Sequence, residues 1–171
     1  MRALKFVAAT FGALVPLLTT AGEDAANTQP TIKLQRFGCY GTCPIYSVSI
    51  DAQGTVHFFG DKFVEFTGAH DSSISNEQYA RLARAAQVLS TLKDDYSPEH
   101  GCKRYVTDAP SVTVSLQSAS LDKHVRVYLG CDDDTVRADI DKIRDVAELI
   151  DDTANTKQWI GDPSRRSDGH R

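Results

Sequence analysis

Residues 45–59, IYSVSIDAQGTVHFF, decide the fold. Tyr46, Val48 and Ile50 fall on one face of an extended chain, and Ser47 and Ser49 on the other. That period of two marks a strand with one buried face. Asp51-Ala52-Gln53-Gly54 then breaks the pattern with a tight turn, because Gly54 accepts positive φ without a Cβ clash. Val56 and Phe58 resume the alternation, with His57 out of phase and facing solvent or a helix edge. Two half-buried strands joined by a tight turn make an antiparallel hairpin.

The same patterns extend in both directions. Upstream, Ile32 and Leu34 alternate with Lys33 and Gln35, which predicts a strand over Thr31–Phe37. Downstream, Gly60-Asp61 predicts a turn and Phe63–Thr67 a fourth strand. Ser75 and Gln78 then form a capping box, with Ile74 and Tyr79 placed for a hydrophobic staple. Tyr79, Leu82, Ala86 and Leu89 give one helical face, ending near Ser90–Leu92. Lys93–Pro110 reads as a long connection, and a connection this long needs a function or a tether. Val112, Val114 and Leu116, then Val125, Val127 and Leu129, predict a second hairpin. A last helix begins in Asp132-Asp133-Asp134, acidic residues that suit the positive end of the helix dipole and can cap its free N–H groups. Val136, Ile140, Ile143, Ala147 and Ile150 form its apolar stripe, and Trp159-Ile160 returns the chain to the domain.

The order ββββαββα with short hairpin links implies an α+β two-layer sandwich. An antiparallel sheet of about six strands carries two amphipathic helices packed on one face.

The chain begins with another signature. Arg2 and Lys5 precede a mostly apolar run from Phe6 to Leu18, then small residues to Ala21. This is the layout of a secretory signal peptide over residues 1–21, cleaved near Ala21. The run is shorter than the roughly 20 apolar residues that span a bilayer. Cleavage removes two positive charges and no negative ones, moving the net charge from −4 to −6. A nucleic-acid partner bound through an overall basic surface is therefore not expected. Residues 22–30 read as a flexible leader, residues 31–161 as one domain, and residues 162–171 as a disordered tail. The expected location is periplasmic or secreted, where disulfides persist, with no membrane span in the mature form.

The most distinctive string runs from Arg36 to Tyr46: Arg-Phe-Gly-Cys-Tyr-Gly-Thr-Cys-Pro-Ile-Tyr. Cys39 and Cys43 admit three readings. A structural disulfide suits an oxidising compartment and a spacer that Gly41 can bend. Thiol-redox catalysis normally uses a shorter spacer at a helix N-terminus. A zinc site would need Cys102, Cys131 or histidines as further ligands.

The pattern C-x-G-x-C-P-x-Y, followed by a strand, the turn Asp51–Gly54 and Phe59-Gly60, resembles a bacterial family, domain of unknown function 6438. Phe66-Thr67-Gly68, Thr107-Asp108-Ala109-Pro110 and the ending Ile150-Asp151 through Trp159-Ile160 match its further landmarks. The resemblance spans about Ile32 to Gly161 and implies an extracytoplasmic domain without naming an activity. In that family the motif holds the first two cysteines, so Cys102 and Cys131 are an additional pair. The resemblance thus implies the bonds Cys39–Cys43 and Cys102–Cys131. The second agrees with the hairpin, whose outer ends carry both residues.

No nucleophile elbow, paired-histidine zinc motif, phosphate loop or dinucleotide fingerprint occurs in the sequence. Asp132–Asp134 lacks the calcium-loop spacing. No catalytic residue, metal ligand or cofactor is assigned. The expected function is a disulfide-stabilised, non-catalytic binding or interaction module, engaging an unidentified protein or small ligand in the cell envelope. The alternative is a thiol-redox enzyme or metal-binding protein using Cys39 and Cys43.

Overall fold

The computed structural model describes residues 29–166. Seven strands form one sheet: β1 (Thr31–Arg36), β2 (Ile45–Ile50), β3 (Thr55–Lys62), β4 (Gly68–Ser73), β5 (Asp95–Tyr96), β6 (Ser111–Gln117) and β7 (Asp122–Tyr128). Their order is β4-β3-β2-β1-β6-β7-β5. Every pairing is antiparallel except that of β5 with β7. The fold is α+β, as expected, with one strand more than the six read from the sequence.

The alternation that makes these strands also sorts their faces. Ile32 and Leu34 of β1 lie opposite Ile50 and Val48 of β2 and opposite Leu116 and Val114 of β6. All six are buried. Two helices cover this face: α1 (Asn76–Ala86) and α2 (Arg137–Ala154). Tyr79, Leu82 and Ala86 of α1 face the core, as do Ile140, Ile143, Ala147 and Ile150 of α2. Fully burying one such aliphatic side chain contributes about 1.5–3 kcal/mol. The odd-numbered positions of β1–β3 form the opposite face, which no helix or strand among the described residues covers.

The capping box is present: Ser75 Oγ accepts from the Gln78 amide, and the Gln78 side chain accepts from the Ser75 amide. The helical face continues beyond Ala86 in a 3₁₀ turn, Gln87–Thr91, which buries Leu89.

Three local expectations need correction. Phe63–Thr67 is a connector, and the fourth strand is Gly68–Ser73. Strand β3 runs through Gly60-Asp61 to Lys62, and the chain turns at Phe63, with φ 55°. The amides of Glu65 and Phe66 donate to the carbonyls of Ile160 and Trp159, so this connector pairs with the chain's return rather than with the sheet. Gly60 allows the approach, since a Cβ there would lie 2.4 Å from the Phe66 carbonyl oxygen. Second, the long connection contains β5, two residues beside Arg126 and Val127. Third, the aspartates do not cap the last helix. It starts at Arg137 after Val136, which makes no side-chain cap. Asp133 turns back instead to Thr135 and to the Lys103 amide.

A short helix α3 (Lys157–Ile160) buries Trp159, whose ring stacks on Phe58 at 4.9 Å. Beyond it, Pro163–Arg165 forms a 3₁₀ turn, and Arg165 pairs with Glu65. The expected signal peptide with its cleavage point at Ala21, most of the leader, and residues 167–171 lie outside the described residues. Among the described residues, no helix is long and apolar enough to cross a membrane.

Candidate functional site

The loop between β1 and β2 holds the first cysteine pair. Cys39 and Cys43 are disulfide-bonded with their Cα atoms 5.7 Å apart. Gly41 between them adopts φ 143°, a conformation that side chains resist. The loop is tied to the segment before β6: the Phe37 amide donates to Ser111 O, and the Tyr40 amide to Asp108 O.

That second segment also holds Cys102, which is bonded to Cys131 just after β7 with a Cα separation of 5.9 Å. Both pairings implied by the resemblance are present. Tyr105 bridges to Cys131, and the Val106 amide donates to Gly130 O. The Tyr128 hydroxyl donates to Val106 O and accepts from the Ala109 amide. Gly130 is needed for this contact, since a Cβ would lie 2.5 Å from Val106 O. Asp133 is buried beside the bridge. The Thr135 hydroxyl and amide, then the Lys103 amide, hold its carboxyl down to about 2.

These two stapled loops concentrate exposed apolar surface. Among the described residues, six large hydrophobic side chains are exposed, and four of them, Phe37, Tyr40, Tyr105 and Val106, lie here. Tyr40, placed between the cysteines, is 89% exposed. A disulfide-anchored backbone holding aromatic side chains in solvent suits contact with another molecule.

Both ends of the cysteine string meet on a residue that sequence reasoning did not assign. Arg36 donates from Nε and Nη2 to Asp151 Oδ2, at 2.9 and 2.6 Å. The Tyr46 hydroxyl and Thr156 Oγ1 both donate to Oδ1 at 2.8 Å. Burial is the largest single influence on the Arg36 charge and opposes it, yet its pKa is raised because Asp151 and Tyr46 together outweigh burial. Burial, then Asp151, pushes the Tyr46 phenol well above its ordinary range. Both oxygens of Asp151 are thus engaged by protein donors. The cluster locks the motif loop to the end of α2 and leaves no reactive group presented. One signal was available: Arg36 follows Ile32 and Leu34 on the buried phase of β1, where a charge requires a partner.

The remaining candidates are dispersed. All four cysteines are bonded in pairs, so no thiolate is offered to a metal or substrate in this state. Cys43 leads into β2 rather than a helix, so no helix dipole acts on it. His57 is exposed, as its phase implied, and pairs with Asp71 at 2.8 Å. His124 lies between Ser115 Oγ and Asp122 Oδ1, 2.8 Å from each. This resembles a nucleophile relay, but Ser115 is only 1% exposed and its hydroxyl is closed to a substrate.

The family model for the domain of unknown function DUF6438 matches residues 30–152. That is more than half of the chain, and the chain belongs to this family. No curated protein matches it.

Proposed function

We propose that this domain is an exported, non-catalytic binding module that engages its partner through the two stapled loops. The observation that carries the reading is the gathering of Phe37, Tyr40, Tyr105 and Val106 on loops fastened by both disulfides. Disulfides of this kind persist in the periplasm or the medium, in accord with the signal-peptide layout of residues 1–21. Held aromatic side chains bind with little ordering cost, because the loops are already fixed.

Export is tested by N-terminal sequencing of protein from the cell envelope or medium, which should begin near Gly22. An intact Met1 in the cytoplasm would remove the premise. The contact surface is tested by placing a photo-crosslinking amino acid at Tyr40, at Val106 and at Asp141 on α2, then irradiating intact cells. Adducts from Tyr40 and Val106 but not from Asp141 support the loop surface. Equal labelling from all three would reject it.

A second reading, thiol–disulfide exchange at Cys39–Cys43, draws on the partial exposure of both residues. It requires a bond that mild reductant opens in the native state. A bond that resists reduction until the protein unfolds would discard it.

A further inference from the structure

We propose that the domain carries a one-electron redox site, in which Tyr46 gives an electron to an oxidised Trp159 and its phenolic proton to Asp151. This goes beyond the binding role. It needs no reactive group at the surface, because an electron tunnels through packed side chains. Two observations meet at Tyr46. The first is a row of aromatic contacts. Trp159, the single tryptophan of the chain, stacks on Phe58 at 4.9 Å, and Phe58 lies 5.3 Å from Tyr46. Trp159 also stacks on His70 at 6.3 Å, and Phe66 meets His70 edge-on at 6.0 Å. The row thus runs from exposed Phe66, through the nearly buried indole, to the buried phenol. The second observation is the proton acceptor. The Tyr46 hydroxyl donates to Asp151 Oδ1 at 2.8 Å, within the reach over which a base takes a proton directly.

A one-electron oxidant outside the chain, such as a peroxyl radical or a high-valent metal complex, takes an electron from Trp159 and leaves its radical cation. Tyr46 then supplies an electron to the indole. A phenol that lost only the electron would be a buried cation, which is costly. Passing the proton to Asp151 in the same step avoids that charge. The Tyr46 O–H bond breaks and an O–H bond forms on Asp151. The products are a restored indole, a neutral phenoxyl radical and a protonated Asp151. Burial, then Asp151, raises the Tyr46 phenol, so its proton does not leave ahead of the electron. Arg36, with two bonds to Oδ2, loses its counter-charge when Asp151 is protonated. It therefore drives the proton back once the phenoxyl is reduced.

Tyr96 separates the two requirements. Its ring is buried, and its hydroxyl also donates to a carboxylate, Asp139 Oδ2 at 3.0 Å. Among the described residues, no aromatic ring is paired with it. Tyr96 has an acceptor without a path to the indole, whereas Tyr46 has both.

The test is flash photolysis of the full chain with a cobalt(III) ammine as irreversible electron acceptor. Excitation at wavelengths that indole absorbs and phenol does not starts the oxidation at Trp159. In the parent, the indole radical absorption should decay as a phenoxyl absorption rises, and more slowly in D2O. In Tyr46→Phe the indole radical should live about tenfold longer or more, and no phenoxyl should replace it. Tyr96→Phe should behave as the parent. The isotope effect is read on the parent and does not depend on either variant folding. Phenoxyl formation that survives Tyr46→Phe would overturn the proposal, as would its loss in Tyr96→Phe. Equal rates in D2O and H2O would overturn the proton transfer to Asp151. Failure of the flash to yield an indole radical would overturn the place of Trp159 as the point of entry.

Discussion

Arg36 and Asp151 stand 115 positions apart and meet through two charge-assisted hydrogen bonds to one carboxylate oxygen. The contact joins the last residue of β1 to the final turns of α2. With Tyr46 and Thr156 on the other oxygen, one side chain fastens the sheet, the motif loop and the turn after α2. Asp151→Ala should destabilise the domain by roughly 2–4 kcal/mol, between the exposed and fully buried limits for a broken ion pair. Tyr46→Phe, which removes one donor, should cost about 1 kcal/mol. Urea unfolding measures both, and equal losses would mean that the ion pair contributes nothing beyond a single hydrogen bond.

Asp133 links stability to acid pH. Its carboxyl is held down to about 2, with the Thr135 bonds the largest cause. A group depressed in the folded state contributes stability that is fully present above its unfolded pKa, about 3.9. That contribution disappears as pH falls through the folded value near 2. Denaturant midpoints across this window should fall less steeply in Asp133→Asn than in the parent. Superimposable pH profiles would show that Asp133 is not the coupled group.

The two faces of β6 and β7 should respond unequally to charge. Val127 is fully buried, whereas Thr113 lies on the uncovered face. Val127→Asp places an unpaired carboxylate in the core and should cost about 3 kcal/mol or more. Thr113→Asp should cost well under half of that. Thermal unfolding of the pair checks the assignment, and equal shifts would contradict it.

Local chemistry was the legible part of this fold. The capping box at Ser75 and Gln78 and the turn closed by Gly54 need only residues a few positions apart. The paired faces of Val114 and Val127 follow from a period of two. The misplacement of β4 has a non-local cause: Glu65 and Phe66 spend their amides on Ile160 and Trp159, about 95 residues away along the chain. Two-residue β5 is too short to show any period, and it exists because Asp95 and Tyr96 lie beside β7. The aspartate run read as a helix cap because its composition is right. Asp133 instead satisfies the amide of Lys103, which the Cys102–Cys131 bridge brings alongside. Asp151 was legible only as part of the family landmark Ile150-Asp151, and the charge on the apolar phase at Arg36 was the one physical hint that a partner was needed.

The two disulfides should differ in what they hold. Cys39–Cys43 closes a loop of sequence separation 4, and Cys102–Cys131 one of separation 29. In the chain-entropy account the longer bridge stabilises by about 3–4 kcal/mol and the shorter by about 2 kcal/mol. The longer bridge also anchors Tyr105, Val106 and the buried carboxylate of Asp133, so its loss should release packing as well as entropy. Replacing Cys102 and Cys131 together by alanine should lower stability more than replacing Cys39 and Cys43. It should also open the segment around Pro98 to proteolysis, because the Cys102 amide, which donates to Ser97 O, would lose its anchored neighbour. Non-reducing peptide mapping checks the bonds, and limited proteolysis with urea unfolding checks the ranking. A Cys39–Cys131 fragment would reject the pairing. A larger loss from the short-loop variant would mean that the bend at Gly41, rather than loop closure, dominates.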